Sequence, residues 1–418
     1  MRSRTFWTSV VAVAAASAVV AGCANSTTAS SGASGDPGSS GSQVTIADIG
    51  QYSGVLASTF GDVPKVLDAW ADMVNAAGGL NGHKVRLIRM DVGDTTGAGL
   101  VDVKKLIDQD HVVAIVSDLD NSDLTWLPYA QQKGVPVIPT QASAGSISSP
   151  DAFPTLDSPL AFAYGQANLA KSVGGKLGAV YCAEAPGCQQ NNTLIKDFAG
   201  KIGVTEPVAL DVSSSLPDYT AVCQQFKDSN LGLYEVVMSS AVGVKIADTC
   251  YAQGLKIPQL LRGPAAVPQW KTDPAFAGGV VADAVAPYFD TAVPGVKVYR
   301  DALQKYAPSV VGTSLDNSSD LYAWTGAQLF AAAVAKISGP ITPAAVTKGL
   351  YALSGETLGG LVGPLTFSPG KATWNNCYFA WKIGAGGQFR GGSGKPICAP
   401  EDLLAPIQAM YLKSLGQS

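Results

Sequence analysis

Charged side chains are scarce in this sequence of 418 residues. Asp, Glu, Lys and Arg make up 14% of it, well below the usual quarter, and the formal net charge is −4. The 28 basic residues form no dense cluster, which argues against a nucleic-acid partner. The apolar fraction is 47%, which excludes disorder over most of the chain. Length and composition together predict two or three domain-sized units, each with its own core.

The sequence also lacks the motifs of common secreted enzymes. Its two histidines, His83 and His111, are too few for a metal or general-base site built from several histidines. No Gly-x-Ser-x-Gly elbow occurs. Ser368-Pro-Gly-Lys371 fits the Ser-x-x-Lys pattern of penicillin-binding enzymes, but no Lys-Thr-Gly accompanies it, and Pro-Gly suits a turn. We therefore expect no catalytic residues, no metal and no cofactor, and a secreted enzyme is the weaker alternative.

The N-terminus has the pattern of an export signal. Arg2 and Arg4 precede an apolar stretch over residues 10–22, which is too short to span roughly 30 Å of hydrocarbon but suits a signal peptide. Val20-Ala-Gly-Cys23 resembles the bacterial lipobox, whose cysteine receives a lipid; the alternative is an ordinary signal peptide with an incidental cysteine. We predict a signal peptide over residues 1–22, then lipidated Cys23 and a flexible tether over residues 23–43. The protein would then lie outside the cytoplasm, anchored to the cell membrane.

Six further cysteines follow Cys23, and an even number in an exported chain predicts disulfides. Six cysteines allow 15 pairings, of which sequence neighbours are the simplest. Zinc would require short Cys-x-x-Cys pairs, which are missing. The expected pairs are Cys182–Cys188, Cys223–Cys250 and Cys377–Cys398.

Apolar strands alternate with amphipathic helices over the rest of the chain. Val66, Trp70, Met73 and Val74 have helical spacing, and the helix should end at Gly78. The predicted strands are residues 44–49, 85–90 (buried on both faces), 112–116 and 135–138, and, in a second run, 177–181 and 235–238. Such alternation predicts parallel sheets covered by helices, and two runs of it predict two doubly wound α/β domains.

Four short segments of this body carry a family pattern. They are the strand at 44–50 with Tyr-Ser-Gly at 52–54, Asn-Ala-Ala-Gly-Gly-Leu-Asn-Gly at 75–82, the following strand with Asp91, and Gly-Pro-Leu-Thr-Phe at 363–367. Together they resemble the type I periplasmic binding proteins, and the branched-chain amino acid (Leu/Ile/Val) receptors are the most similar subgroup. The resemblance covers about residues 44–398.

The resemblance implies two Rossmann-like lobes joined by a hinge of three chain crossings. We place the crossings near Leu156, Ala286 and Val362. Lobe 1 would comprise residues 44–156 and 287–362, and lobe 2 residues 157–286 and 363–418. The family binds a small molecule between the lobes and delivers it to the permease subunits of an ABC importer. We expect a monomer with that function; the alternative is a sensor lipoprotein that presents its ligand to a membrane receptor.

The resemblance also suggests the ligand-binding residues. In the first lobe Phe60 would form an aromatic wall, Asp120 or Asn121 a polar contact, and Gln141 and Ser143 hydrogen-bond donors. In the second lobe Ser239 and Ser240 follow a strand where an aromatic side chain is common, and Pro186 aligns with a family tyrosine. The acid that binds a ligand ammonium should follow Gly263-Pro264, but Ala265 is there. Free leucine, isoleucine and valine should therefore bind poorly.

Several of these residues have a second interpretation. Asp118, Asp120 and Asp123 form a cation or amine site, or, more simply, a solvated loop that caps the next helix. Arg262 is either a clamp for a ligand carboxylate or an ordinary surface charge. Tyr322 begins an apolar helix and belongs to the lobe core or to the ligand wall, with the core favoured.

Overall fold

The computed structural model describes residues 43–93, 97–141, 143–184 and 186–414. The predicted signal peptide, Cys23 and nearly all of the predicted tether lie outside the described residues. Among those described, no helix combines the length and the apolar character needed to cross a membrane.

The first sheet has four parallel strands. It consists of β1 (Gln43–Gly50), β2 (Lys84–Asp91), β3 (Ile115–Leu119) and β4 (Val137–Pro139), in the order β2-β1-β3-β4. Because β2 is at the edge, most of its side chains are half-buried or exposed, and the expectation of two buried faces was wrong.

Strand β3 lies three residues beyond its predicted position of 112–116. All five of its residues are buried, including Ser117 and Asp118, which the sequence pattern had assigned to a loop. The Ser117 hydroxyl is 3.0 Å from the Thr140 hydroxyl, so this polar group has a partner inside the sheet. A strand that carries satisfied polar groups cannot be delimited by hydrophobicity alone.

The second sheet has eight strands. They are β5 (Lys176–Cys182), β6 (Thr205–Val212), β7 (Leu233–Val237), β8 (Gln259–Arg262), β9 (Val280–Asp283), β10 (Cys377–Ile383), β11 (Phe389–Gly391) and β12 (Ile397–Cys398). The order is β11-β10-β9-β8-β7-β5-β6, with β12 paired to β10. Strands β5 to β9 are parallel, and β10 runs antiparallel to its three neighbours.

Helices cover both sheets. They are α1 (Ala57–Phe60), α2 (Val63–Ala76), α3 (Ala98–Asp108), α4 (Leu127–Gln132), α5 (Ala144–Ser148), α6 (Pro159–Ser172), α7 (Pro186–Ile202), α8 (Thr220–Asp228), α9 (Ser240–Ala252), α10 (Pro294–Tyr306), α11 (Ser318–Val334), α12 (Pro343–Tyr351) and α13 (Glu401–Ser414). Helices α10, α11 and α12 return to the first lobe, where α11 packs against α2, α12 and β3.

Helix α2 shows how the sequence pattern becomes core. Val66, Trp70 and Val74 face inward and are buried, as their spacing predicts. The helix ends at Ala76, and Gly79 follows with φ +86°, where a Cβ would lie 2.1 Å from the His83 carbonyl oxygen. Only glycine fits this close left-handed turn.

Three chain crossings connect the lobes, and backbone hydrogen bonds join segments at or near them. The Ser158 backbone N–H donates to the Asn375 carbonyl at 2.7 Å, and that of Ala286 donates to the Leu361 carbonyl at 2.9 Å. Val362 and Phe367 pack in the same core cluster of the first lobe.

Disulfides join the six described cysteines as sequence neighbours. Cys223 and Cys250 connect α8 to α9, and Cys377 and Cys398 connect β10 to β12. The third bond, Cys182–Cys188, connects the end of β5 to α7.

Candidate functional site

A cavity of about 400 Å³ lies between the two lobes. Val237 and Arg262 end β7 and β8, Ala284 follows β9, and Gln141 lies just after β4. The cavity is therefore at the carboxyl ends of parallel strands, where open α/β sheets generally bind ligands. Its lining residues are Phe60, Gln141, Leu156, Asp157, Ser158, Pro159, Phe162, Cys188, Gln190, Asn191, Leu194, Val237, Arg262, Pro264, Ala284, Tyr322 and Tyr411.

Much of the wall is apolar. Phe60 reaches the cavity from the first lobe, whereas Phe162 and Leu194 reach it from helices of the second. All three side chains are buried. Such walls suit a ligand with an apolar body.

Arg262 carries the cavity's positive charge. Its guanidinium lies over the Phe162 ring, 4.8 Å from the centroid, a favourable cation–π distance. Among the described residues, no carboxylate forms an ion pair with it within 4.0 Å. Arg262 is half-buried and lines the cavity, so it lies on the cavity wall rather than on the open surface.

Two polar atoms of the lining are buried and have no hydrogen-bond partner among the described residues. One is Oδ2 of Asp157, an acceptor, and the other is Nδ2 of Asn191, a donor. Burial raises the pKa of Asp157 well above its usual value; nearby Asp283 raises it further, while Arg262 lowers it. Buried polar groups without partners are uncommon, and a cavity wall is where a ligand can satisfy them.

Asp283 ties the second sheet to the first lobe behind this wall. It accepts hydrogen bonds from Tyr322 at 2.9 Å, from Trp381 at 3.1 Å and from the Ser318 hydroxyl. Ser318 and Tyr322 are on α11, whereas Trp381 is on β10. Burial raises the Asp283 pKa to about 6, although these three donors oppose the shift. Tyr322 thus belongs to the core and also lines the cavity.

The aspartates at the end of β3 and in the loop after it make hydrogen bonds within the first lobe. Asp120 accepts hydrogen bonds from the Ser122 backbone N–H at 2.9 Å and from Trp126 Nε1 at 2.8 Å. Asp123 accepts one from the Ser143 hydroxyl. All three aspartates of this segment, including Asp118, are buried, so the expectation of a solvated loop was wrong. None of them lines the cavity described above.

The remaining first-lobe candidates differ in position. Asn121 donates to Gln51 at 2.9 Å and accepts from Gln141, and of these three amides only Gln141 lines the cavity. Ser143 is the N-cap of α5: its hydroxyl accepts from the Ser146 backbone N–H at 2.9 Å, away from the cavity lining.

The second-lobe candidates lie beside the cavity rather than in it. Ser239 is exposed ahead of α9, and the Ser240 hydroxyl donates to the Ala265 carbonyl at 3.1 Å. Their neighbours Val237 and Pro264 line the cavity instead.

Sequence reasoning missed the hinge and the second-lobe helices as sources of cavity residues. Asp157 and Ser158 directly follow Leu156, the predicted first crossing, and both line the cavity. The acidic residue beside that crossing was the sequence feature that could have indicated them. Nothing in the sequence indicates that Tyr411, on the C-terminal helix, reaches the cavity.

A two-lobed α/β body with a cavity at the strand ends is the architecture of solute-binding proteins that hold their ligand between two lobes. The model of the family described as periplasmic binding protein matches residues 43–388. The chain therefore belongs to this family of extracytoplasmic solute-binding proteins, in its type I form. This confirms the resemblance and the two-lobed fold predicted from the sequence.

Solved structures share the fold at low sequence identity. A branched-chain amino acid ABC transporter protein from Thermus thermophilus with bound valine is 16% identical, covering 88% of this chain and 99% of its own, with a TM-score of 0.74. A fatty acid ABC transporter substrate-binding protein from Thermomonospora curvata is 18% identical, covering 88% and 95%, at TM-score 0.69. A solute-binding protein from R. palustris in complex with 4-hydroxybenzoate is 18% identical, covering 85% and 95%, at TM-score 0.65. No curated protein matches the chain.

Proposed function

We propose that this protein captures a small solute in the cavity between its lobes and delivers it to the permease subunits of an ABC importer. The cavity itself carries the proposal, because it combines a 400 Å³ volume, apolar walls from both lobes and buried polar atoms without partners. Bound solute would connect the two lobes, so binding would favour hinge closure. Similar folds from ABC transporter systems support the importer as partner.

The proposed ligand contacts follow from the lining. Phe60 would be the aromatic wall of the first lobe and Gln141 its polar contact, as the resemblance implies. Asn191 would donate to the solute from the second lobe, and Phe162 would close the apolar wall. Asp120, Asn121, Ser143 and Ser240 would support these positions from behind, since their described hydrogen bonds are internal. Ser239 is exposed beside the cavity and would contact the solute only at its edge.

Calorimetric titration against a solute library tests the binding function. The purified full chain should bind at least one member, and Phe60→Ala should weaken that binding at least fivefold because it removes buried apolar contact. Val101→Ala is the control: it also removes apolar side-chain atoms, but Val101 is exposed on α3 and does not line the cavity, so affinity should stay within about twofold. Equal losses in the two variants, or no binding by any library member, would contradict the proposed site.

We also propose that Cys23 carries a lipid that keeps the protein at the membrane surface. The support is the lipobox-like Val20-Ala-Gly-Cys23 and the Ser/Gly tether after it. Fractionated cells should contain the parent protein in the membrane pellet and Cys23→Ala in the soluble fraction. Membrane association of both would show that the cysteine does not anchor the chain.

A further inference from the structure

The buried acids around the cavity differ in how many hydrogen-bond donors they have. Asp283 has three donors, and Glu235 has one, the Gln166 amide. Asp157 lines the cavity with 5% of its surface exposed, and its Oδ2 has no partner within the described part of the chain. Glu235 Oε2 is also buried without a partner among the described residues, but Glu235 does not line the cavity, so Asp157 is the acid of the described lining with an unpaired, buried oxygen.

The usual structural roles of an aspartate do not explain Asp157. It immediately precedes Ser158, the N-cap of α6, yet the cap bond is made by Ser158, whose hydroxyl accepts from the Ala161 backbone N–H at 3.1 Å. No lysine or arginine of the described residues forms an ion pair with Asp157 within 4.0 Å. Its carboxylate is therefore neither a helix cap nor half of a salt bridge.

The charges nearby indicate which ligand group this oxygen suits. Two other buried carboxyls, Asp283 and Glu235, lie close enough to interact with Asp157 or with Arg262, and Arg262 is the only cation of the described lining. A ligand anion placed at Asp157 would add another negative charge to this group of acids. A ligand cation would supply both the missing donor and the missing opposite charge.

We infer that Asp157, on the first hinge crossing, binds a cationic nitrogen of the solute, so that the substrate class is an organic ammonium compound with an apolar body. This inference rests on the proposed solute-binding function and names the ligand group for the same cavity. In the family pattern, an acid after Gly263-Pro264 binds the ligand ammonium, and this chain has Ala265 there. Asp157 on the hinge would take the place of that acid. The apolar body would lie along Phe60 and Phe162.

Four probes of matched shape test the inference on the parent protein. They are 2-phenylethylamine, phenylalanine, 3-phenylpropanoate and 2-phenylethanol, which present an ammonium, a zwitterion, a carboxylate and a neutral hydroxyl. At least one of the two ammonium compounds should bind at least tenfold more tightly than both of the others in calorimetry. Carboxylate or alcohol binding as tight as that of the amines would overturn the inference without any variant.

Asp157→Asn supplies the second arm. It keeps the shape but cannot ionise against a bound cation, so the better ammonium probe should lose about ten- to a hundredfold in affinity. Asp48→Asn is the matched control, because Asp48 is also buried with an unpartnered oxygen but does not line the cavity. The affinity of this variant for the same probe should stay within about twofold of the parent's. Unchanged ammonium binding in folded Asp157→Asn, checked by circular dichroism, would overturn the assignment.

Titration against the solute library distinguishes a failure of this inference from a failure of the proposed function. If only solutes without a cationic nitrogen bind, and Phe60→Ala weakens them, the protein is a solute-binding protein and the role of Asp157 is refuted. If nothing binds, the proposed function fails as well.

Discussion

Gly263 and the Asp283 carboxylate show how a single residue shapes the wall behind the cavity. A Cβ on Gly263 would lie 2.0 Å from Asp283 Oδ2, far inside van der Waals contact. The carboxylate could not stay where it accepts hydrogen bonds from Ser318, Tyr322 and Trp381. Glycine at this position is thus required by the close approach of a buried acid from the neighbouring strand.

Gly263→Ala should therefore destabilise the protein. Moving the carboxylate weakens three hydrogen bonds to a buried charge-bearing group, and we expect the free energy of unfolding to fall by about 2–4 kcal/mol. Gly200→Ala is the control, since nothing apart from the backbone of helix α7 itself lies within 4 Å of its Cβ position. That variant should be neutral or stabilising by up to about 1 kcal/mol. Urea unfolding measures the change in the free energy of unfolding for each variant. Equal changes in Gly263→Ala and Gly200→Ala would show that the Asp283 carboxylate can move without loss of stability.

At the scale of elements, helix α5 explains a residue that the family pattern assigned to the ligand. The Ser143 and Ser146 hydroxyls each accept a hydrogen bond from the other residue's backbone N–H at 2.9 Å, which is a capping box. Ser143 also donates to Asp123 in the preceding loop. Its hydroxyl joins two segments, so its main effect should be on stability.

Ser143→Ala should lower the free energy of unfolding by about 1–2 kcal/mol, the usual effect of losing an N-cap. Its affinity for a solute identified in the library should change less than twofold. Thr342→Ala is the matched control, because Thr342 caps α12 with a 3.2 Å bond to the Ala345 backbone N–H. An affinity loss of fivefold or more in Ser143→Ala alone would instead establish Ser143 as a ligand contact.

These elements also show what a sequence can predict. Periodicity is a local property, so it identified α2, β1 and β5 and their burial closely. The end of β3 was misplaced because the Ser117 hydroxyl finds its partner, Thr140, only in the folded sheet, and because Asp118 is buried with a hydrogen bond from the Asp120 backbone N–H. Cavity residues from crossings and distant helices depend on tertiary packing. The sequence therefore indicated the family and the cleft, but few of the side chains that line it.

For the whole molecule, buried acids make stability depend on pH. Burial is the main cause that raises the pKa of Asp48 to about 7, of Asp283 to about 6 and of Glu235 to about 8. In the unfolded chain these groups titrate near 4. Between about pH 4 and each raised pKa, the folded state holds more protons than the unfolded state. Linkage then requires stability to fall as pH rises through this range.

We therefore expect the protein to be more stable at pH 5.5 than at pH 8.5. Each of these carboxyls should contribute a loss on the order of 1–3 kcal/mol between the two values, because ionisation in the folded state leaves a buried charge. Asp48→Asn cannot ionise at that position, so its stability should fall less than the parent's across the same interval. Urea unfolding at both pH values measures the difference for each protein. Stability that rises toward pH 8.5, or an equal fall in Asp48→Asn, would mean that these acids do not control the pH dependence.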